Sequence, residues 1–142
     1  TASIEDGWLS NARRRESPNC DARGSTASPE LLVVHNISLP PGEFGGGYIR
    51  DLFLNRLDPL AHPYFAEIEG MRVSSHLLIR RDGELVQYVP FTSRAWHAGR
   101  GQWRGIDNVN SASIGIEITP PRNLGTSTLR SGLIAIISMA ES

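Results

Sequence analysis

The clearest hydrophobic pattern in the chain is a short apolar run that ends in two polar residues. Residues 31–34 are Leu-Leu-Val-Val, His35 and Asn36 follow, and Pro-Pro-Gly at 40–42 ends the segment. A short, β-branched-rich apolar run bounded by turn residues is typical of a strand buried on both faces. Such a strand carries its last side chains to the carboxyl edge of the sheet, where ligand sites tend to lie. The pattern predicts a central strand over 31–37, with His35 either at the mouth of a cleft or bonded to a neighbouring loop.

Four more segments have patterns that predict local structure. Apolar runs at 75–79 and 85–89 flank an Asp-Gly pair, which predicts a β-hairpin. Residues 112–118 predict a second buried strand, and residues 48–54 predict a short helix with one apolar face. Residues 58–63 contain two X-Pro pairs and are expected to form irregular turns.

Both ends of the chain are predicted to contain helix. Residues 1–30 are expected to form a short N-terminal helix and a loop rich in Ser, Pro, Gly and Thr. The last segment has apolar residues at helical spacing, namely Leu129, Leu133, Ile136, Ile137 and Ala140. The order strand, helix, hairpin, strand, helix indicates a single α/β domain over residues 1–142, with a mixed central β-sheet flanked by helices.

Composition excludes several classes of function. A formal net charge of −1 argues against electrostatic binding of nucleic acid or of a membrane surface. No apolar run approaches the ~20 residues that cross a bilayer, and the polar N-terminus shows no signal peptide. The single cysteine, Cys20, fits a reducing compartment, so a cytoplasmic location is expected. All 14 basic residues are arginine, which excludes chemistry that needs a lysine of this chain.

Four polar side chains fall within or beside the predicted strands: His35, His76, His97 and Glu117. A glutamate between two isoleucines of a buried strand either has a raised pKa or finds a partner, and both outcomes suit a general base. The alternative is an edge strand from which Glu117 faces solvent. The histidines are too far apart in sequence for a compact ligand motif, so any metal site has to be assembled by the fold.

Several sequence blocks resemble the AmpD family of cytoplasmic, zinc-dependent 1,6-anhydro-N-acetylmuramyl-L-alanine amidases. The most specific are His-Asn-Ile-Ser-Leu-Pro-Pro-Gly-Glu-Phe-Gly-Gly at 35–46 and Arg-Ala-Trp-His-Ala-Gly at 94–99. Further matching blocks are residues 7–9, 31–34, 58–63, 72–74, 76–91 and 113–117. The wider fold is similar to amidase type 2 domains, peptidoglycan recognition proteins and phage amidases of the T7 lysozyme type.

The resemblance implies hydrolysis of the bond between N-acetylmuramic or anhydromuramic acid and L-alanine in cell-wall muropeptides, during peptidoglycan recycling. It implies a Zn²⁺ cofactor that lowers the pKa of a bound water and polarises the amide carbonyl. The implied partner is a small, soluble muropeptide, bound by a monomer without nucleic acid or membrane. By the same resemblance His35 is the first zinc ligand, and Glu117 is the acid/base group. The residues implied to line the muropeptide groove are Asn36, Arg72, Trp96, His97 and Ala98.

The family pattern has three further residues that no position of this chain matches. The family completes its zinc site with a second histidine and an aspartate, and a lysine between them stabilises the oxyanion. Asn108 stands near the place where relatives carry a substrate-binding arginine. Three interpretations follow: a truncated or altered copy of the enzyme, a module that binds muropeptide without cutting it, or substitute zinc ligands from His76 or His97.

Overall fold

The computed structural model describes residues 1–24, 28–43, 45–98 and 109–119, together with the backbone of residues 132–138. Its elements, in chain order, are β1 (Ile4–Glu5), β2 (Trp8–Leu9), β3 (Arg13–Arg14), β4 (Cys20–Ala22), β5 (Leu31–Asn36), α1 (Tyr48–Phe53), α2 (Pro63–Glu67), β6 (Leu77–Ile79), β7 (Leu85–Gln87), β8 (Ser93–Ala95), α3 (Val109–Ala112), β9 (Ser113–Ile118) and β10 (Gly132–Ser138). None of the helices within these ranges is long and apolar enough to cross a membrane.

A six-stranded mixed sheet organises the described chain, in the order β10-β5-β9-β6-β7-β3. β9 lies parallel to both β5 and β6, whereas β6 and β7 form an antiparallel hairpin around the Asp-Gly turn. β3 pairs parallel with β7 at one edge. The predicted mixed α/β sheet, the strand within 31–37, the hairpin and the strand within 112–118 are confirmed.

The predicted N-terminal helix is wrong. The described part of residues 1–30 forms short strands instead, with β1 paired to β2, β3 to the main sheet and β4 to β8. The turn between β1 and β2 holds Asp6 and Gly7 at positive φ, which a helix does not allow. The side chain of Gln87 then fixes this turn, since it accepts from Leu9 N at 2.7 Å and donates to Gly7 O at 2.8 Å.

The predicted C-terminal helix is also wrong where the structure describes the segment. Residues Gly132–Ser138 form β10, which pairs antiparallel with β5. Residues 133–137 are five consecutive apolar residues, a run that periodicity alone cannot assign to helix or strand. The edge of β5 supplies the backbone partners that decide the choice. Residues 126–131 and 139–140, also assigned to that helix, lie outside the described residues.

Helix α1 was predicted, whereas helix α2 was not. α1 forms within the predicted residues and buries its apolar side chains Ile49, Leu52 and Phe53. Residues 58–63 were expected to be turns, but they lead into α2, whose first turn contains Pro63. The His62 side chain caps this helix by accepting a hydrogen bond from Tyr64 N at 3.0 Å. Proline at the first helical position and a side-chain cap explain why so short a helix begins there.

The main core lies between α1, α2 and one face of the sheet. Its buried members are Ile37, Leu39, Ile49, Leu52, Phe53, Phe65, Leu78, Val86, Tyr88, Val89 and Ala95. Full burial of such side chains contributes roughly 1.5–3 kcal/mol each. This packing fixes α1 against the strands whose ends carry the polar residues described next.

Candidate active site

Strand pairing places His35 and Glu117 side by side. β5 and β9 run parallel, and their register pairs His35 with Glu117. On the other side of β9, Glu117 is paired with Leu78 of β6. Adjacent strands lie about 4.8 Å apart, and paired residues direct their side chains to the same face. The structure therefore brings together the imidazole and the carboxylate that the sequence singled out from distant segments.

His97 joins this pair from the segment after β8. Its Nδ1 lies 3.3 Å from His35 Nε2, and its Nε2 lies 2.9 Å from Ser113 Oγ. Burial lowers the pKa of His35, and burial with the nearby histidines and Arg23 lowers that of His97 to about 3. Both imidazoles are therefore neutral near pH 7, and one donates the hydrogen bond to the other. Sequence reasoning placed His97 in the groove, but it did not identify Ser113.

The position of His97 depends on a glycine and an asparagine. A Cβ at Gly115 would lie 2.3 Å from His97 Cδ2, so only glycine lets the ring pack this closely on β9. Asn110 Oδ1 accepts from His97 N at 3.3 Å and from Ala98 N at 2.9 Å. Asn110 Nδ2 donates back to Ala98 O at 3.0 Å. Asn110 and Gly115 were missed, because no local sequence signal connects them to His97.

His76 is a structural residue beneath this site. Its Nδ1 accepts from Gly115 N at 3.0 Å, so the proton resides on Nε2, which lies 2.8 Å from Ser93 O. Burial is the main reason that its pKa falls to about 4. Protonation of Nδ1 would place two N–H groups against each other, which explains why the neutral ring is retained. These contacts give His76 a structural role.

Arg23 is a buried cation that sequence reasoning missed. It is 5% exposed and donates to Phe91 O at 2.8 and 3.0 Å and to Ser113 O at 2.9 Å. Its Nη2 also lies 3.1 Å from His76 Nε2. No carboxylate pairs with Arg23 among the described residues, and burial lowers its pKa. An arginine in a loop gives no sequence signal for this role.

Glu117 is a buried carboxyl group at an open cavity. It is 7% exposed, and burial raises its pKa to about 8. In the described part of the chain, no hydrogen bond or ion pair holds its carboxylate. The cavity has a volume of about 590 Å³, including space open to solvent. Its lining also includes Tyr64, Val73, Ser74 and His97. A carboxyl group in such surroundings can exchange a proton near neutral pH.

The other predicted groove residues are Arg72, Trp96, Asn36 and Ala98, and none of them lines the cavity of Glu117. Arg72 is exposed and lines a neighbouring cavity, which shares Leu52, Ile68 and Met71 with the cavity of Glu117. Trp96 donates its indole N–H to Asp21 Oδ1 at 3.2 Å, which fixes the ring outside the cavity lining. Asn36 ends β5 next to His35, and Ala98 packs against the small cluster of Leu31, Val33 and Val109.

The described residues supply an incomplete donor set for a catalytic zinc ion. His35 and His97 present ring nitrogens 3.3 Å apart, but no group of three or more His, Cys, Asp or Glu side chains forms within the described ranges. Catalytic zinc sites have three protein ligands and an open position. The described residues alone therefore do not fit a catalytic zinc ion.

Comparisons with known proteins identify relatives of this chain. The family model for N-acetylmuramoyl-L-alanine amidase matches residues 25–127. The chain is 60% identical to 1,6-anhydro-N-acetylmuramyl-L-alanine amidase AmpD of Escherichia coli (strain K12), over 89% of this chain and 66% of that protein. It is 58% identical to the AmpD of Citrobacter freundii, over 89% and 65% of the two chains. The chain thus spans about two thirds of the length of these relatives.

A solved structure supports the same assignment. A crystal structure of a selenomethionine AmpD derivative superposes with a TM-score of 0.82 at 57% identity, over 86% of this chain and 68% of the other. The mixed sheet is therefore that of an α/β domain of the amidase type. The chain belongs to the N-acetylmuramoyl-L-alanine amidase family.

Proposed function

We propose that the protein hydrolyses the amide bond between N-acetylmuramic or anhydromuramic acid and L-alanine in muropeptides, as a step of peptidoglycan recycling. Family membership and about 60% identity to AmpD support the reaction and its substrate class. The observation that carries the proposal is the buried Glu117 carboxyl at an open cavity, beside the neutral His35–His97 pair. The expected cytoplasmic location and monomeric state stay predictions.

Glu117 moves the proton in this reaction. Its carboxylate takes a proton from a water molecule as the water oxygen attacks the lactyl carbonyl carbon. The protonated carboxyl then donates to the alanine nitrogen, the C–N bond breaks, and the products are a lactyl carboxylate and a free amine. A pKa of about 8 lets one group perform both transfers near neutral pH. The rate should rise with pH towards about 8, as Glu117 ionises.

The surrounding residues account for binding and orientation. The cavity wall is mostly apolar, which strengthens electrostatic contacts near it. Arg72, exposed in the adjoining cavity, is placed to pair with a carboxylate of the stem peptide, because guanidinium groups bind carboxylates bidentately. Asn36, Trp96, His97 and Ala98 complete the proposed groove. His97 in addition orients the His35 ring through their hydrogen bond.

Substitution of Glu117 tests the proposal. Glu117→Gln keeps the shape and removes the proton acceptor, so turnover of an anhydromuramoyl peptide should fall by roughly 10²–10⁴-fold with little change in KM. Release of the L-alanyl peptide is followed by liquid chromatography and mass spectrometry. Glu16→Gln, an exposed carboxylate bonded to Arg14, is the matched control and should retain parental activity.

Two results would contradict the proposed reaction. Unchanged turnover in Glu117→Gln would remove this residue from the mechanism. A parent chain that binds the muropeptide at calorimetric stoichiometry but releases no peptide would identify the alternative, a binding module without catalysis.

Zinc binding is a separate part of the proposal. We infer that His35 is one zinc ligand. Zinc stoichiometry of the chain after dialysis against a chelator and re-addition of metal measures this directly. We expect His35→Ala to hold less zinc than the parent. Equal metal content in the parent and in His35→Ala would rule out His35 as a ligand.

A further inference from the structure

A second cavity, separate from that of Glu117, has arginines as half of its lining residues and is also lined by Glu84. Its volume is about 320 Å³, including space open to solvent, and its lining includes Arg13, Arg15, Arg50 and Arg80. Helix α1 contributes to both cavities, since Leu52 and Phe53 line the first and Arg50 lines the second. The register from Glu117 through Leu78 to Val86 places this second cavity two strands, or about 10 Å, from Glu117.

The Tyr88 hydroxyl opens into this arginine-lined cavity. Tyr88, directly after β7, is 1% exposed and lines the cavity, with its ring packed edge-on against Phe53 at a centroid distance of 5.0 Å. Within the described residues, the Tyr88 hydroxyl has no hydrogen-bond partner. Every fully buried polar side-chain atom in this part of the chain does have one, so the hydroxyl oxygen is not fully buried. The hydroxyl is therefore reached by solvent, and the cavity is the open space beside it. The Tyr88 hydroxyl is thus a neutral hydrogen-bond donor in a cavity that four arginines also line.

Arg80, Arg50, Arg15 and the carboxylate of Asp51 lie within electrostatic range of the Tyr88 side chain. Burial raises the pKa of Tyr88 to about 12, and the charges of Arg80, Arg50 and Arg15 act in the opposite direction. The phenol therefore keeps its proton at neutral pH and can donate it to an acceptor. Cationic groups that act on one hydroxyl are close enough to act together on an anion placed at that hydroxyl.

The cluster carries positive charge that nearby acids only partly balance. Arg13 lies 3.7 Å from Glu84, and Arg50 lies 3.4 Å from Asp51. Neither Arg15 nor Arg80 forms an ion pair with a described residue. Four guanidinium groups and two carboxylates leave a formal charge of +2, in a chain whose net charge is −1. The concentration of charge is therefore a local feature and not a result of a basic composition.

We propose that this cavity binds a small doubly charged oxyanion of the phosphate type, either free phosphate or the terminal group of a phosphate monoester. Guanidinium groups bind such oxygens bidentately, and they approach here from β3, α1 and the end of β6. The Tyr88 hydroxyl adds one neutral donor. The local charge of +2 matches a dianion better than a carboxylate monoanion. The site does not depend on the amidase reaction, because Glu117 and its cavity lie outside it.

Titration of the full chain with inorganic phosphate tests this site. Arginine Nε–H signals are followed by NMR at constant ionic strength, and we expect saturable shifts of Arg15, Arg50 and Arg80 in the millimolar range. Acetate at the same ionic strength should bind at least fivefold more weakly, because it carries a single charge. Methyl phosphate distinguishes the two sources: equal affinity assigns a phosphate monoester, and weaker binding assigns free phosphate.

Three variants locate the binding. Arg15→Gln should weaken phosphate binding about tenfold, and Tyr88→Phe, which keeps the ring against Phe53, about threefold or more. Arg14→Gln is the matched control, because Arg14 lies over the Trp8 ring at 3.8 Å and bonds Glu16, away from the cavity. Absence of saturation, equal binding of acetate, or equal weakening by Arg14→Gln and Arg15→Gln would each overturn the proposal. None of these outcomes bears on amide hydrolysis.

Discussion

Burial gives Glu117 a pKa that its sequence neighbours alone do not determine. The carboxyl has isoleucines on both sides in β9, His35 beside it on β5 and Leu78 beside it on β6. None of these groups carries a positive charge, so desolvation raises its pKa to about 8 without opposition. The sequence predicted a buried acid with a shifted pKa and left open an exposed edge position. The structure decides for burial, because β9 has a strand on each side.

Stability should fall as pH rises from about 6.5 to 8, because of Glu117. Its pKa of about 8 in the fold exceeds the unfolded value of 4.5, so the native state holds a proton that the unfolded chain has released. Raising the pH through this window removes that advantage, by up to about 1.4 kcal/mol per pH unit. His76 and His97, with pKa values of about 4 and 3, change stability chiefly below pH 6.5.

Urea unfolding between pH 6.5 and 8 measures this slope in the parent and in Glu117→Gln. The slope should disappear in Glu117→Gln and persist in the exposed control Glu16→Gln. A parent whose stability is constant or rises over this range would show that Glu117 is ionised in the fold.

Arg23 connects several elements through its hydrogen bonds. It joins the segment after β4 to Phe91 O ahead of β8 and to Ser113 O at the start of β9. β8 leads to His97, and β9 carries Glu117, so Arg23 fixes the base from which both site residues extend. Buried carbonyl groups need donors, and this guanidinium supplies several of them at once.

Arg23→Met should destabilise the protein by roughly 2–4 kcal/mol. Methionine fills a similar length, and removal of a buried charge recovers some desolvation energy, but it leaves the carbonyl oxygens of Phe91 and Ser113 without their donors. Arg56→Met, at an exposed position, is the control and should change stability by less than about 0.5 kcal/mol. Chemical denaturation measures both variants. Equal stability of Arg23→Met and the parent would show that water or relaxation replaces these hydrogen bonds.

At the scale of the whole molecule, neighbouring strands of the main sheet contribute residues to two separate cavities. The cavity with Glu117 is mostly apolar and contains a carboxyl group, whereas the second is ringed by arginines. Helix α1 lies against the same core and presents Leu52 and Phe53 to the first cavity and Arg50 to the second. An apolar helix face and a charged helix face therefore give two chemically distinct sites. Neither site is evident from the overall charge of −1.

The sequence by itself determined the parts of the fold that rest on local signals. The apolar run before His35, the Asp-Gly turn and the one-sided helix at 48–54 each specify their structure through short-range preference and periodicity. The resemblance to a known family also gave the amidase fold, which the comparisons confirm. The roles assigned to His35, Glu117 and the groove residues stay predictions.

Only the tertiary structure decided features that depend on partners distant in sequence. Residues 133–137 form a strand because β5 offers an edge, and residues 4–14 form strands because Gln87 and β7 bind them. Arg23, Asn110 and Gly115 position the site through contacts that no local pattern encodes. The ring of arginines around Tyr88 likewise comes from separate segments. Local preference is carried by neighbours in the chain, whereas burial, register and close approach exist only once distant segments have packed together.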